Sequence, residues 1–184
     1  MHGQHDHVAA ILDAWRAEDP GLDVSPVAIF GRVTRIDRYL AAALRGVYRR
    51  HQLDGGEYDV LAALRRSGPG YRLTPTELYR SMLVTSATMT ERLDRLERRK
   101  LIRRRPAARD RRSVLVELTA HGRTVIDQAH ADLLDTEAAL LEGLSPADRS
   151  ALAGLLGKLA ALLEQAHGTT ASSVKGEEER NGLG

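Results

Sequence analysis

The chain has 184 residues, 27 Lys+Arg against 25 Asp+Glu for a formal net charge of +2, 42% hydrophobic residues and only 4% aromatics. That length allows one domain or little more, with a core of Leu, Ala and Val that favours helices. Cysteine is absent, which excludes disulfide frameworks, thiol redox sensing and cysteine–zinc sites, and no apolar run reaches the roughly 18–20 residues needed to span a bilayer.

The first residues, M-H-G-Q-H-D-H, are polar and lack a signal-peptide pattern, so a cytoplasmic protein with no membrane partner is expected. His2, His5 and His7 form an H-x-x-H-x-H cluster of a kind that binds zinc or nickel. No scaffold accompanies it, and residues 1–7 read as a disordered terminus without a metal. Val8, Ile11, Leu12 and Trp15 then recur at i, i+3, i+4, i+7, a short amphipathic helix closed by Asp19-Pro20-Gly21.

Ser25-Pro26 starts a second helix by the cap-then-proline rule. It runs to about residue 50 with Val27, Phe30, Val33, Ile36, Leu40, Leu44 and Val47 as its apolar stripe. Asp54 caps a third helix, with Glu57 completing a capping box and Asp59 lying within it. Tyr71-Arg72-Leu73 suits a short strand. Thr74-Pro75-Thr76-Glu77 starts a fourth helix, 74–83, and Val84-Thr85 is a turn.

The next stretch, 85–118, carries the chemistry. Met89, Leu93 and Leu96 form the apolar face of a helix, while Thr88, Arg92, Arg95 and Arg99 share another face. Short hydroxyls followed by arginines suit a major groove, where hydroxyls reach phosphates or base edges and arginine grips guanine in two places. Residues 102–105 and 113–118 read as two strands joined by the basic connection Pro106-Ala107-Ala108-Arg109-Asp110-Arg111. A helix followed by a basic two-stranded ribbon is the winged helix-turn-helix plan, helix in one groove and ribbon tip on the next. Between 92 and 112 arginine and lysine far outnumber Asp94, Glu97 and Asp110, although the whole chain is nearly neutral. Charge concentrated in this way marks a polyanion site, and double-stranded DNA is the expected partner.

Thr119 caps a long helix to about residue 141, and Ser145-Pro146-Ala147-Asp148 starts the last one, rich in leucine from Leu152 to Leu163. Together with the N-terminal helices these carry more apolar surface than a small winged domain buries. Homodimerisation accounts for it, an intramolecular four-helix bundle being the alternative. A dimer would read two half-sites about 34–36 Å apart in a pseudo-palindrome. The fold expected is mainly α, a winged helix-turn-helix with a helical dimerisation region built from N- and C-terminal helices. Its divisions are 1–7 disordered, 8–50 N-terminal helices, 51–118 DNA-binding domain, 119–166 C-terminal dimerisation helices and 167–184 a disordered tail.

The order of elements and the passages T-P-T-E-L, S-A-T-M-T-E-R-L-D-R-L-E-R-R-K-L-I and A-A-R-D-R-R-S-V-L-V-E-L-T-A-H-G resemble the MarR family of dimeric winged-helix regulators, over residues 27–165. The resemblance implies that Asp110 and Arg112 brace the wing and that Arg109 and Arg111 contact the minor groove or phosphates. Lys100 departs from it, since the family usually has Gly there. A narrower resemblance is to the urate-responsive (HucR/PecS-type) subgroup, whose extra N-terminal helix bears a Trp and whose Asp and two Arg match Trp15, Asp59, Arg92 and Arg104 here. It implies a ligand site at those four residues. A planar, anionic purine such as urate or xanthine suits an arginine fork and an aromatic partner. Asp59 would hold Arg92, and an anion arriving between them would shift the helix and weaken DNA binding. Ser86, Thr88, Arg95 and Arg99, with Arg109 and Arg111, are then left for DNA.

The expected function is a ligand-released repressor with no cofactor. Its rivals are the same fold sensing a phenolic or carboxylate ligand, a metal-responsive regulator using the N-terminal histidines, and an architectural DNA binder with no ligand. No nucleophile–base set, phosphate-binding glycine loop or catalytic metal cluster points to an enzyme.

Overall fold

The computed structural model describes residues 6–82, 86–106 and 114–181, with side chains described as far as 166 apart from those at 81, 86 and 87. Among them the elements run α1 (His7–Glu18), α2 (Ser25–Arg50), α3 (Gly55–Arg66), β1 (Arg72–Leu73), α4 (Pro75–Met82), α5 (Ser86–Arg98), β2 (Ile102–Pro106), β3 (Val114–Leu118), α6 (Ala120–Leu140) and α7 (Pro146–Asn181). The mainly helical winged fold expected from the sequence is the one formed.

The local signals act as the capping rules require. Asp54 accepts from Glu57 N–H at 2.7 Å while the Glu57 carboxylate accepts from Asp54 N–H at 3.2 Å, a reciprocal box at the start of α3. Thr74 and Glu77 repeat it at α4, and the Thr119 hydroxyl accepts from Gly122 N–H at 2.9 Å to open α6. The three strands form an antiparallel sheet in the order β1-β3-β2, with Ile102 opposite Leu118 and Pro106 opposite Val114.

The chain forms two compact units, 1–137 and 138–184. In the first, the core gathers Leu61 and Leu64 of α3, Leu78 of α4, Met89, Leu93 and Leu96 of α5, Ile102 and Val116 of the sheet, and Val47 of α2. Ile126, Ala129 and Leu133 of α6 join it, so α6, expected among the C-terminal helices of 119–166, packs with the winged domain in the first unit. The reason is a close approach at Gly122, where any Cβ would be driven into the Leu101 carbonyl. A smaller cluster of Val8, Leu12 and Val24 seats α1 on α2.

Part of each terminus expected to be disordered belongs to the described helices. Asp6 and His7 are ordered, because the Asp6 carboxylate caps α1 through Ala9 N–H at 2.8 Å and pairs with Arg32 at 2.7 Å; His2 and His5 lie outside the described residues. At the other end α7 continues past His167 to Asn181, over a stretch that holds no proline to stop it. Within the second unit Leu152, Leu155, Leu156, Leu162 and Leu163 are all exposed.

Candidate functional site

Helix α5 divides into three faces. Met89, Leu93 and Leu96 are buried in the core. The opposite side carries Glu91 and Arg98, both exposed; the Arg98 guanidinium has no carboxylate partner among the described residues. The third face is the arginine ladder Arg92, Arg95 and Arg99, and it lies against the first turn of α3.

That turn is acidic and open. Arg95 donates from Nε to Glu57 Oε1 and from Nη2 to Asp54 Oδ2, each at 3.0 Å, and Arg99 Nη1 donates to Glu57 Oε2 at 3.2 Å. Glu57 is the one buried charged residue among those described, 5% exposed. It carries its own cap bond and both arginines, which offsets the cost of burying the carboxylate. The Glu57 hydrogen bond in turn holds the Arg95 pKa above the ordinary arginine value.

Arg92 is different. Among the described residues its half-buried side chain makes no hydrogen bond or ion pair, and it lies over Gly56, where an added Cβ would stand 2.6 Å from Nη2 and closer still to Cζ and Nε. Asp59 stands near enough to feel it without pairing. Asp59 is itself exposed; partial desolvation by the surrounding protein still pushes its carboxyl above the ordinary value, and the charges of Arg92 and then Arg66 pull it back. The direct Asp59–Arg92 bridge expected from the sequence is therefore replaced by a through-space attraction.

The base of the wing is also braced by α5. Arg104 Nη1 donates to Asp94 Oδ1 at 2.7 Å and to Glu97 Oε2 at 2.9 Å, and Arg104 N–H donates to Glu97 Oε1 at 3.0 Å. Arg103 grips Glu117 at 2.6 Å and Arg105 approaches it at 3.6 Å, and the Arg103 hydrogen bond leads the effects that hold the Glu117 carboxyl low.

The predicted residues thus fall into separate groups. Arg95 and Arg99, expected on DNA, are engaged by α3 because the ladder face packs against its acidic cap. Arg104, expected at the ligand, is engaged by α5. Trp15 stands half-exposed on α1, and no hydrogen bond, ion pair or ring contact joins it to Asp59, Arg92 or Arg104. Thr88 is half-buried near the start of α5; the Ser86 side chain, Arg109, Asp110, Arg111 and Arg112 lie outside the described residues. Sequence reasoning missed Glu57, Gly56 and Arg98 as site residues. A signal existed for Glu57, since a capping-box acid opposite an arginine ladder has charge to spare, but the two are 38 and 42 positions apart.

Among the described residues no helix is long and apolar enough to cross a membrane. Residues 51–113 match the MarR family. The chain is 35% identical to the HTH-type transcriptional regulator PecS of Dickeya dadantii (strain 3937), over 83% of this chain and 92% of that one. It is similar to a mutant MarR from E. coli solved in complex with operator DNA, at 26% identity and a TM-score of 0.63, covering 75% of this chain and 99% of that one. It is also similar to BpsR of Bordetella bronchiseptica, whose structure concerns regulation of DNA binding by 6-hydroxynicotinic acid, at 26% identity and a TM-score of 0.62 over 72% and 92% of the two chains.

Proposed function

Because this chain belongs to the MarR family of winged helix-turn-helix transcriptional regulators, we propose that it is a cytoplasmic homodimeric repressor of a pseudo-palindromic operator, released when a small planar anion binds at Arg92. Urate or a related purine such as xanthine is the effector proposed. Proteins of this family are DNA-binding regulators and not enzymes, so the open questions are the ligand and the assembly.

The observation that carries the ligand is the state of Arg92. In α5 and the wing base, Arg95, Arg99, Arg103 and Arg104 are each committed to a carboxylate. Arg92 alone in that set offers a half-buried fork with no carboxylate bridge among the described residues, near the exposed Asp59 carboxyl whose charge it feels. An anion there gains charge-assisted hydrogen bonds and repels Asp59, which favours a proton on Asp59 or a shift of α3 against α5. Either outcome alters the helix that faces DNA, and by linkage DNA weakens the ligand by the same factor.

Dimerisation is supported by the exposed apolar residues Ile29, Phe30, Val33 and Ile36 along α2. A shallow, open apolar depression lined by Pro26, Val27, Phe30, Gly31 and Thr34 lies on the same helix. Ile36→Glu is expected to convert the protein to monomer in sedimentation analysis and to weaken operator binding. A dimer that survives both Ile36→Glu and Phe30→Glu would refute this face.

A second ligand reading rests on the likeness to BpsR. An aromatic carboxylate of the 6-hydroxynicotinic acid or salicylate type fits an arginine fork as well as a purine does. The deciding experiment measures binding to DNA upstream of the chain's own gene at fixed salt, with urate, xanthine or salicylate added. Release by purines, abolished in Asp59→Ala and Arg92→Ala, supports the purine reading; release by salicylate alone transfers the site to the carboxylate class. Tight binding indifferent to all three leaves a regulator without an effector at Arg92.

A further inference from the structure

We propose that Glu57 is a specificity-determining residue that acts by positioning: it holds Arg95 and Arg99 of α5 against α3, so that these two cations are withheld from DNA phosphates. This rests on DNA binding by the winged domain and is independent of the effector's identity.

The geometry makes Glu57 the hub. Its Oε1 takes Arg95 and its Oε2 takes Arg99 and the Asp54 N–H. Asp54 adds a second carboxylate to Arg95 at 3.0 Å. The Glu57 side chain is 6% exposed while the two arginines are 38% and 33% exposed, so the carboxylate is fixed by the core and the arginines come to it. Through its two oxygens α3 sets both the rotation of α5 about its axis and the direction of its basic face. The exposed cation on the outward face, without a carboxylate partner among the described residues, is Arg98 instead.

Two arginines freed on this helix would add phosphate contacts without reading bases. Non-specific affinity would rise while discrimination between operator and random sequence fell, because backbone contacts carry no sequence information directly. Internal carboxylates that occupy them therefore trade gross affinity for selectivity.

The test uses the full-length chain and Glu57→Gln, which retains an oxygen to accept the Asp54 N–H but removes the charge. Binding to a random-sequence duplex is measured between 50 and 200 mM salt, beside the operator. Each phosphate neutralised adds about 0.9 to the salt slope, so release of both arginines steepens it by about 1.8, and the loss of random-duplex affinity across that range grows about twelvefold over wild type. The operator-to-random ratio falls in parallel. Adding Arg99→Gln to Glu57→Gln takes back about half of the gained slope. A merely structural role for Glu57 lowers the melting temperature without steepening the slope.

A Glu57→Gln protein that remains folded with the wild-type slope overturns the proposal, since it would mean that both arginines are already on DNA or never reach it. Should Glu57→Gln not fold, Asp54→Asn, which frees only one arm of Arg95, must still steepen the slope, by less than one unit. Failure of the wild type to bind either duplex at low salt would overturn the DNA reading itself.

Discussion

Replacing Gly56 by alanine separates the effector site from the fold. Gly56 lies in the first turn of α3, and the three atoms nearest a Cβ there all belong to the far end of a long side chain: Arg92 Nη2 at 2.6 Å, with Cζ and Nε nearer. Restoring ordinary contact at about 3.5 Å moves the guanidinium by about 1 Å or more. The arginine is flexible, so the fold absorbs the change, and alanine in place of glycine adds up to about 1 kcal/mol of helix stability. What is lost is the seat of the fork. A hydrogen bond to a charged group contributes about 1.5–3 kcal/mol, so misaligning it weakens an anionic effector roughly tenfold to a hundredfold. Fluorescence anisotropy of labelled operator, titrated with the effector, reads this as a rise in the half-release concentration, while thermal melting reports an unchanged or slightly raised midpoint. An unshifted half-release concentration would refute the placement of the ligand at Arg92, and a large fall in melting temperature would show that the Arg92 side chain does not yield to the added Cβ.

At Gly122 the same substitution has the opposite sign. The added Cβ meets backbone, within 2.8 Å of the Leu101 carbonyl carbon, and forces apart the Thr119 N–H to Leu101 carbonyl bond of 3.1 Å; denaturant unfolding of Gly122→Ala is expected to show a loss of about 2–4 kcal/mol. Lys100 ends α5 at a φ of 57°, so Lys100→Gly is expected to stabilise by about 1 kcal/mol in the same assay. Tyr58 is buried and its hydroxyl meets His130 Nδ1 at 2.7 Å. Burial, with smaller help from the charge of Tyr48, pushes its pKa from 10.0 up to about 12. The fold therefore favours the protonated phenol: the benefit is intact below pH 10 and is lost as pH rises through about 12, a decline of about 2–3 kcal/mol that Tyr58→Phe should remove from an alkaline stability profile. Arg98→Ala is expected to lower the salt slope of binding to any duplex by about 0.9, and an unchanged slope would take Arg98 off the DNA-facing surface.

Much of the architecture was legible from short-range patterns. Asp54 with Glu57, Thr74 with Glu77, and Ser145 with Asp148 each announce a helix start, because a cap is a bond between residues three apart and needs nothing else from the fold. The 3.6-residue period likewise put Met89, Leu93 and Leu96 inward and gathered Arg92, Arg95 and Arg99 on one face. Even the unfavourable end of α5 was readable, as a lysine at 100 where the resembling family carries glycine.

What that arginine face meets was not legible. Periodicity orients a side chain relative to its own helix axis, whereas the partner depends on how α5 crosses α3, and that angle is set by Leu61, Leu64, Leu93 and Leu96 packing together in the core. The same crossing turned Arg95 and Arg99 from expected DNA contacts into an internal brace, gave Arg104 to Asp94 and Glu97, and left Arg92 over Gly56 with no carboxylate bridge among the described residues. Helix ends and apolar faces were determined by the sequence alone because they depend on neighbours within a turn or two; the ownership of each charge was decided only by tertiary structure, because Coulomb pairs form between whichever groups the packed core brings within a few ångströms.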